Sequence, residues 1–321
     1  MIDLNSPLAE LVSKELAKEA PAAARALSDA IREQRPNVTS ILFYGSCLRK
    51  KSDEGVLDFY VLVDRYSDTY NSRLLTLGNF VLPPNVFYIE TQFESRTVRA
   101  KYAVLSLADF AGAVQLECVH PYIWARFAQP SLLVYQRDDA ARDHAIRCAA
   151  QAAVTLAQRL VVFLPANDRI QRFSLAAFWQ EAFSRTYGAE RRAEPPEHIA
   201  EIYQIARARY DRVAEFAFEL LADLGWIERA TVRAGGTAIE IEMSPLRRLA
   251  MRWRWHLSRP VARTLAIGRL LKSAFTFGDW VPYAIWKMER HTGVPIQLTP
   301  RQRKHPLIFA WPIIWKVYLR R

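Results

Sequence analysis

Cysteine is scarce in this chain: Cys47, Cys118 and Cys148 are the only three in 321 residues. An odd number at wide spacing excludes a disulfide framework and a cysteine-built zinc site, and it points to a reducing compartment. Long apolar runs are scarce too. No window of about 18 apolar residues is present, so no membrane-spanning helix is expected. Met1-Ile2-Asp3-Leu4 has neither the basic start and apolar core of a secretory signal nor the arginines of a transit peptide. There is no internal repeat and no low-complexity run, which excludes a solenoid or a biased tract. No Ser-His-Asp or metal-histidine pattern stands out, and His120 and His256 read as packing or surface histidines. Acid is the last scarcity, and it is local. From Leu246 to Arg321 only Asp279 and Glu289 oppose sixteen Lys or Arg, in a chain of net charge +11.

What is present is a packed body. Half of the residues are apolar and 24% are charged, which favours globular domains over disorder. A prior of about 150 residues per domain gives two domains and an appendage. The appendage is the cationic stretch, which also holds Trp253, Trp255, Trp280, Trp286, Trp311 and Trp315. Positive charge interleaved with aromatics suits a polyanion: a nucleic acid or an anionic membrane surface. Residues 306–319 are apolar and aromatic, too short to span a bilayer, and interrupted by Pro312. Trp and Tyr favour the headgroup level and Lys and Arg snorkel toward anionic lipid, so the tail reads as a peripheral membrane device. Packing on the body, or in a homodimer, is the plain alternative.

Periodicity sets the organisation. Residues 7–33 read as helix in two pieces meeting at Pro21. Residues 39–44 and 57–63 read as strands, with a polar loop over 45–56. Further strands are expected at 86–92 and 98–105, after Pro83-Pro84. Helices follow at 107–118, 139–164, 171–185 and 196–224, with a charged, proline-bearing break from Glu190 to Pro196. Residues 230–243 read as a hairpin turning at Gly235-Gly236. The tail from 246 is helical in pattern, broken at Pro260, Gly278, Gly293 and Pro300.

The chemistry lies between residues 41 and 64. A buried strand leads into Gly45-Ser46, a loop follows, and Asp58 stands on the next strand. Glycine lets backbone N–H donors approach a triphosphate closely, and the Ser46 hydroxyl adds a donor. An aspartate on the adjacent strand can hold Mg²⁺ against the phosphates, because hard cations take oxygen ligands. The unit resembles the polymerase-β-like nucleotidyltransferase signature, which usually has a second acid two residues after the first. Here Tyr60 stands there. Asp64 and Glu90 are the candidates for the second metal-ligating carboxylate. Asp64 lies on the same strand face as Asp58 but about 20 Å along it, so it reaches the site only if the chain turns. The bland alternatives are a helix cap for Asp64 and a solvent-facing position for Glu90. Tyr44 is placed beside the nucleotide or in the core. Arg49-Lys50-Lys51 read as a solvated loop, with phosphate steering second.

A more particular resemblance accounts for Tyr60. Phe43-Tyr44-Gly45-Ser46 followed by Leu57-Asp58-Phe59-Tyr60-Val61-Leu62-Val63-Asp64 resembles the mitochondrial-type phosphatidate cytidylyltransferase family, which has no acid at that position. Leu77-Gly78, Val86-Phe87-Tyr88, Lys101-Tyr102-Ala103-Val104-Leu105-Ser106 and residues 121–130 continue the resemblance in order, over roughly 41–135, and residues 268–290 resemble the family weakly. The family's His-Tyr-Ser stretch before Leu-Gly is missing, Ala103 stands for a glycine, and Ala125 for another. The resemblance implies an α+β fold: a polymerase-β-like nucleotidyltransferase domain with a mixed sheet (1–138), a helical, winged-helix-like domain (139–245) and a basic, membrane-associating tail (246–321). It implies CMP transfer from CTP to phosphatidic acid, giving CDP-diacylglycerol and pyrophosphate, with Mg²⁺ required. Lys101 then contacts the triphosphate, and Arg126 holds the lipid phosphate or CTP. The expected place is the cytoplasmic, inner face of a membrane, with no stable protein partner inferred. Two other functions stay open: nucleotidyl transfer to a soluble or RNA acceptor, and an inactive homologue that binds lipid or RNA.

Overall fold

Ser6 starts the first helix. Its hydroxyl accepts from the Ala9 N–H at 3.3 Å, and Pro7 occupies a first-turn position where a missing N–H costs nothing. This helix, α1 (Pro7–Leu16), is separated by Pro21 from α2 (Ala22–Gln34). The computed structural model describes residues 2–118, 120–189, 195–232, 238–276 and 299.

Next come β1 (Val38–Tyr44), the short α3 (Ser46–Lys50), β2 (Val56–Val63), α4 (Arg73–Val81), β3 (Asn85–Phe93) and β4 (Arg96–Ser106). α5 (Leu107–Ala113), α6 (Trp124–Phe127) and β5 (Ser131–Gln136) complete the first half. The strands form one mixed sheet in the order β3-β4-β2-β1-β5, with β2 and β4 parallel and the other pairs antiparallel. Alternation assigns the faces. Ile41, Phe43, Phe59, Val61, Tyr102 and Val104 pack with Ala24, Leu27 and Ile31 of α2. Leu42, Tyr60, Leu62, Ala103 and Leu105 face the other way, into a cluster shared with the second half of the chain.

That half is built on α7 (Asp139–Leu160). The Asp138 carboxylate caps it, accepting from the Ala141 N–H at 2.8 Å. Alanines along α7 let neighbours approach closely, and it packs against α1, α6, α8, α10 and β5. β6 (Ile170–Ser174), α8 (Leu175–Ala189), α9 (Pro196–Ile205), α10 (Arg207–Asp223), β7 (Arg229–Val232) and β8 (Ala238–Glu242) follow. The three strands form an antiparallel sheet ordered β6-β8-β7. A buried ion pair, Glu15 to Arg209 at 2.8 Å, ties α1 to α10, and Arg209 also donates to the Ala128 carbonyl. The stretch Asp139–Phe163 is long and apolar enough to cross a membrane by composition, but 89% of its window is buried inside the protein. It is the core helix, buried against other elements of the protein.

The chain closes, among the described residues, with α11 (Pro245–Thr276). The break expected at Pro260 is absent. Proline removes a single N–H donor, and packing on both sides of it holds the helix together: Met251 and Trp255 are buried before it, and Gly268 meets Leu82 after it. The expected tail therefore begins inside the body, with Trp255 packed 6.3 Å from Trp124 and 5.9 Å from Phe163.

Other differences have local causes. The loop over 45–56 contains α3, closed by the left-handed Lys51. The helix expected from 171 starts at Leu175, because residues 170–174 alternate and pair with β8. The helix expected over 107–118 stops at Ala113. The span 196–224 is two helices parted at Ala206. The strand β5 was unexpected. The Gly235-Gly236 turn, most of the break at Glu190 to Pro196, and the tail beyond 276 apart from Thr299 lie outside the described residues.

Candidate functional site

Three residues stand in one row across the sheet. Tyr44 on β1 is opposite Asp58 on β2, and Asp58 is opposite Lys101 on β4. Register partners share a sheet face, so the three side chains emerge side by side. Lys101 Nζ lies 3.1 Å from Asp58 Oδ1, and both side chains are partly accessible. Tyr44 packs its ring 5.3 Å from Tyr60 and 5.8 Å from Phe127.

Gly45 directly follows this row, with φ +94° and ψ −161°, a region that side chains with a Cβ rarely enter. A Cβ there would stand 3.0 Å from Asp58 Oδ2. Glycine is thus required twice: for the turn, and for the close approach of the Asp58 carboxylate. Ser46 begins α3, where the first N–H groups have no intrahelical acceptor.

These residues border a cavity of about 450 Å³, within the size range of small-molecule and cofactor sites. Arg126 from α6, Arg49 from α3 and Gln129 complete the sheet side, and Arg49 Nη1 donates to Gln129 Oε1 at 3.2 Å. Arg126 donates to the Tyr122 carbonyl and lies 4.2 Å from the centre of the Tyr122 ring. The far wall is Thr186 and Tyr187 of α8 and His198 of α9. The lining therefore sets Arg49, Lys101 and Arg126 around one carboxylate, with His198 on the far wall. Such a cavity favours a polyanion.

The expected residues divide cleanly. Tyr44, Gly45, Ser46, Asp58, Lys101 and Arg126 converge on the cavity. Asp64 does not: it follows β2 at the far end of that strand, paired with Arg137 at 2.6 Å. The strand continues unbroken from Asp58 to Val63, so the turn that Asp64 needed does not occur. Glu90 does not line the cavity either. It sits on β3, two strands from Asp58, 3.5 Å from Arg99 and accepting from the Tyr88 hydroxyl at 3.1 Å. Tyr60 is buried against Phe127, with ring centres 5.1 Å apart, so aromatic packing fills the place of a second acid. Among the described residues no group of three or more His, Cys, Asp and Glu side chains is clustered as a metal site. The donors at the cavity that suit a hard cation are the Asp58 carboxylate and the Ser46 hydroxyl. That set fits Mg²⁺ in the manner of a cation completed by substrate phosphates and water rather than caged by protein.

Sequence reasoning missed Gln129, Thr186, Tyr187 and His198 as site residues, because they arrive from elements distant in the chain. Arg49 was legible only as a secondary phosphate contact, since α3 was not expected to point it inward. The chain matches no protein-family model and no curated protein sequence.

Proposed function

We propose that this chain is a Mg²⁺-dependent nucleotidyltransferase that transfers CMP from CTP to phosphatidic acid at a membrane surface, releasing pyrophosphate. One observation carries the proposal: Gly45 closed down on an Asp58–Lys101 pair at the edge of a cationic cavity. The fold supports it. A mixed sheet with a Gly-Ser turn after one strand and an aspartate on its neighbour fits a polymerase-β-like domain. The order β6, α8 to α10, β7, β8 with a β6-β8-β7 sheet fits a winged-helix-like module.

In this scheme the triphosphate lies over Gly45 and Ser46, whose backbone and hydroxyl donors meet phosphate oxygens. Lys101 supplies a compact positive charge beside them. Arg126 holds the phosphate of the lipid or of CTP, its planar fork suiting two oxygens at once. A phosphatidate oxygen attacks the α-phosphorus in line, the bond to the bridging oxygen of the β-phosphate breaks, and pyrophosphate departs. Mg²⁺ held by Asp58 would neutralise the charge that develops on the phosphates. The tyrosines at 44 and 187 and His198 frame the remaining space for the base.

Tyr60 favours a second reading, a homologue that binds nucleotide or lipid without turnover. A single assay separates these. Purified protein is incubated with Mg²⁺, labelled CTP and phosphatidate vesicles. Labelled lipid that disappears with Asp58→Ala is the expected result. Label in RNA or a soluble acceptor would move the substrate class, and no transfer from any nucleotide would leave the binding module.

A further inference from the structure

We propose that the body itself, and not only the basic tail, carries a bilayer-docking surface, formed by α4 and the second half of α11. Leu74, Leu77, Phe80 and Val81 lie on α4 with exposures from 57% to 81%. At 100° per residue they occupy about 120° of the helix surface, a single face. Leu270 and Leu271 of α11 are equally exposed. The two helices are locked together beside these side chains. A Cβ on Gly268 would come within 3.0 Å of Leu82, Lys272 Nζ donates to the Gly78 carbonyl at 3.1 Å and to that of Leu82, and Arg269 Nε donates to the Pro83 carbonyl at 2.8 Å. An apolar face of this extent marks an interaction surface rather than scattered exposure.

Charge identifies the occupant as an anionic membrane. The second half of α11 carries Arg263, Arg269 and Lys272 and no acid, and α4 carries Arg73 and no acid. Positive charge without acid on two helices that share an apolar face is what anionic lipid attracts. Trp253, 61% exposed further along α11, suits the headgroup level. The surface also abuts the cavity. The Tyr122 ring is flanked by Arg126 at 4.2 Å and Arg269 at 4.3 Å, so a single aromatic ring separates a cavity arginine from the docking helix. A docked body therefore brings the headgroup layer toward Arg126. This deepens the proposed function and rests on it for the acceptor, but docking has its own readout.

The test uses the full chain and sucrose-loaded vesicles of phosphatidylcholine with phosphatidylglycerol, without CTP or phosphatidate. The wild type and Asp58→Ala are expected to pellet alike. The double variant Leu77→Ser/Phe80→Ser is expected to partition at least about tenfold less well, because each exposed side chain contributes on the order of a tenfold preference for lipid. Its thermal unfolding should match the wild type, since both positions are solvent-exposed. Ile205→Ser/Leu224→Ser, at exposed apolar positions elsewhere, should pellet as the wild type does. Undiminished partition of Leu77→Ser/Phe80→Ser overturns the proposal. So does a change from dimer to monomer in that variant with partition unaltered, which would make the face a contact between copies. Failure to pellet with lipid transfer intact would remove docking and leave the enzyme, while pelleting without transfer would do the reverse.

Discussion

Replacing Gly45 with alanine tests the geometry at its tightest point. The residue sits at φ +94°, ψ −161°, where an L side chain costs about 1–3 kcal/mol. The new methyl would also stand 3.0 Å from Asp58 Oδ2, so the carboxylate must retreat from its place opposite Lys101. The backbone strain should lower the unfolding temperature by a few degrees, taking roughly 2–4 °C per kcal/mol for a chain of this class. The carboxylate shift should cost more in rate than in stability. Misplacing a reacting group by about 1 Å costs on the order of 10²-fold, so kcat/KM should fall by about that factor. Calorimetric or circular-dichroism melts and steady-state transfer assays read the two effects separately. Gly112→Ala is the control: nothing lies within 4 Å of its added methyl, and it sits in α5, where alanine is the better helix former. Unaltered melting and unaltered turnover in Gly45→Ala would refute the argument that Gly45 and Asp58 form one built site.

The two aspartates, one within β2 and one just beyond it, should separate completely. Asp58→Asn should abolish transfer, whereas Asp64→Asn should leave kcat intact and cost under about 1 kcal/mol, because its partner Arg137 is a half-exposed surface residue; equal loss in both variants, measured in the same transfer assay, would contradict this placement. Tyr60→Asp should not create a second metal ligand. It removes a buried ring from contact with Tyr44 and Phe127 and buries a carboxylate instead, so at least about 3–5 kcal/mol of stability should be lost, read by urea unfolding. Burial, and secondarily Arg269, depresses the Lys272 amine to about 8, from 10.5 in the free side chain. Between those values the unfolded chain holds a proton that the folded chain sheds, so stability gains with rising pH across that window. Lys272→Met should flatten this rise in melts taken from pH 7.5 to 10, and a rise of the same size in the variant would dismiss the lysine as its source.

Much of the sheet was legible because its strands are bounded by strong punctuation: Pro36 before β1, Gly45 after it, Pro83-Pro84 before β3. Gly45 and Asp58 were legible from a Gly-Ser turn between two strands and an aspartate on the second, and Lys101 from the family resemblance; that Asp58 and Lys101 are register partners is seen only in the sheet. β5 was not legible, since Ser131–Gln136 has little alternation and is ordered by pairing with β1. Residues 171–174 were read into the following helix, where Leu175, Phe178, Trp179 and Ala182 recur at helical spacing, and only pairing with β8 separates them from it. Tyr187 and His198 could not be assigned to the cavity from sequence: their positions depend on how α8 and α9 meet the sheet edge. Asp64 was a candidate metal ligand beside a helix-cap reading, and its distance along the unbroken strand from Asp58 removed it from the site. Trp255 looked like a membrane anchor with its neighbours, yet it faces Trp124 in the core.

The most direct test of the central claim follows the two ends of the triphosphate. CTP labelled at the α-phosphate and CTP labelled at the γ-phosphate are each incubated with the protein, Mg²⁺ and phosphatidate vesicles. The account predicts α-label in the lipid and γ-label in pyrophosphate, both lost with Asp58→Ala. Appearance of γ-label in the lipid, or of inorganic phosphate as the product, would contradict nucleotidyl transfer at this site.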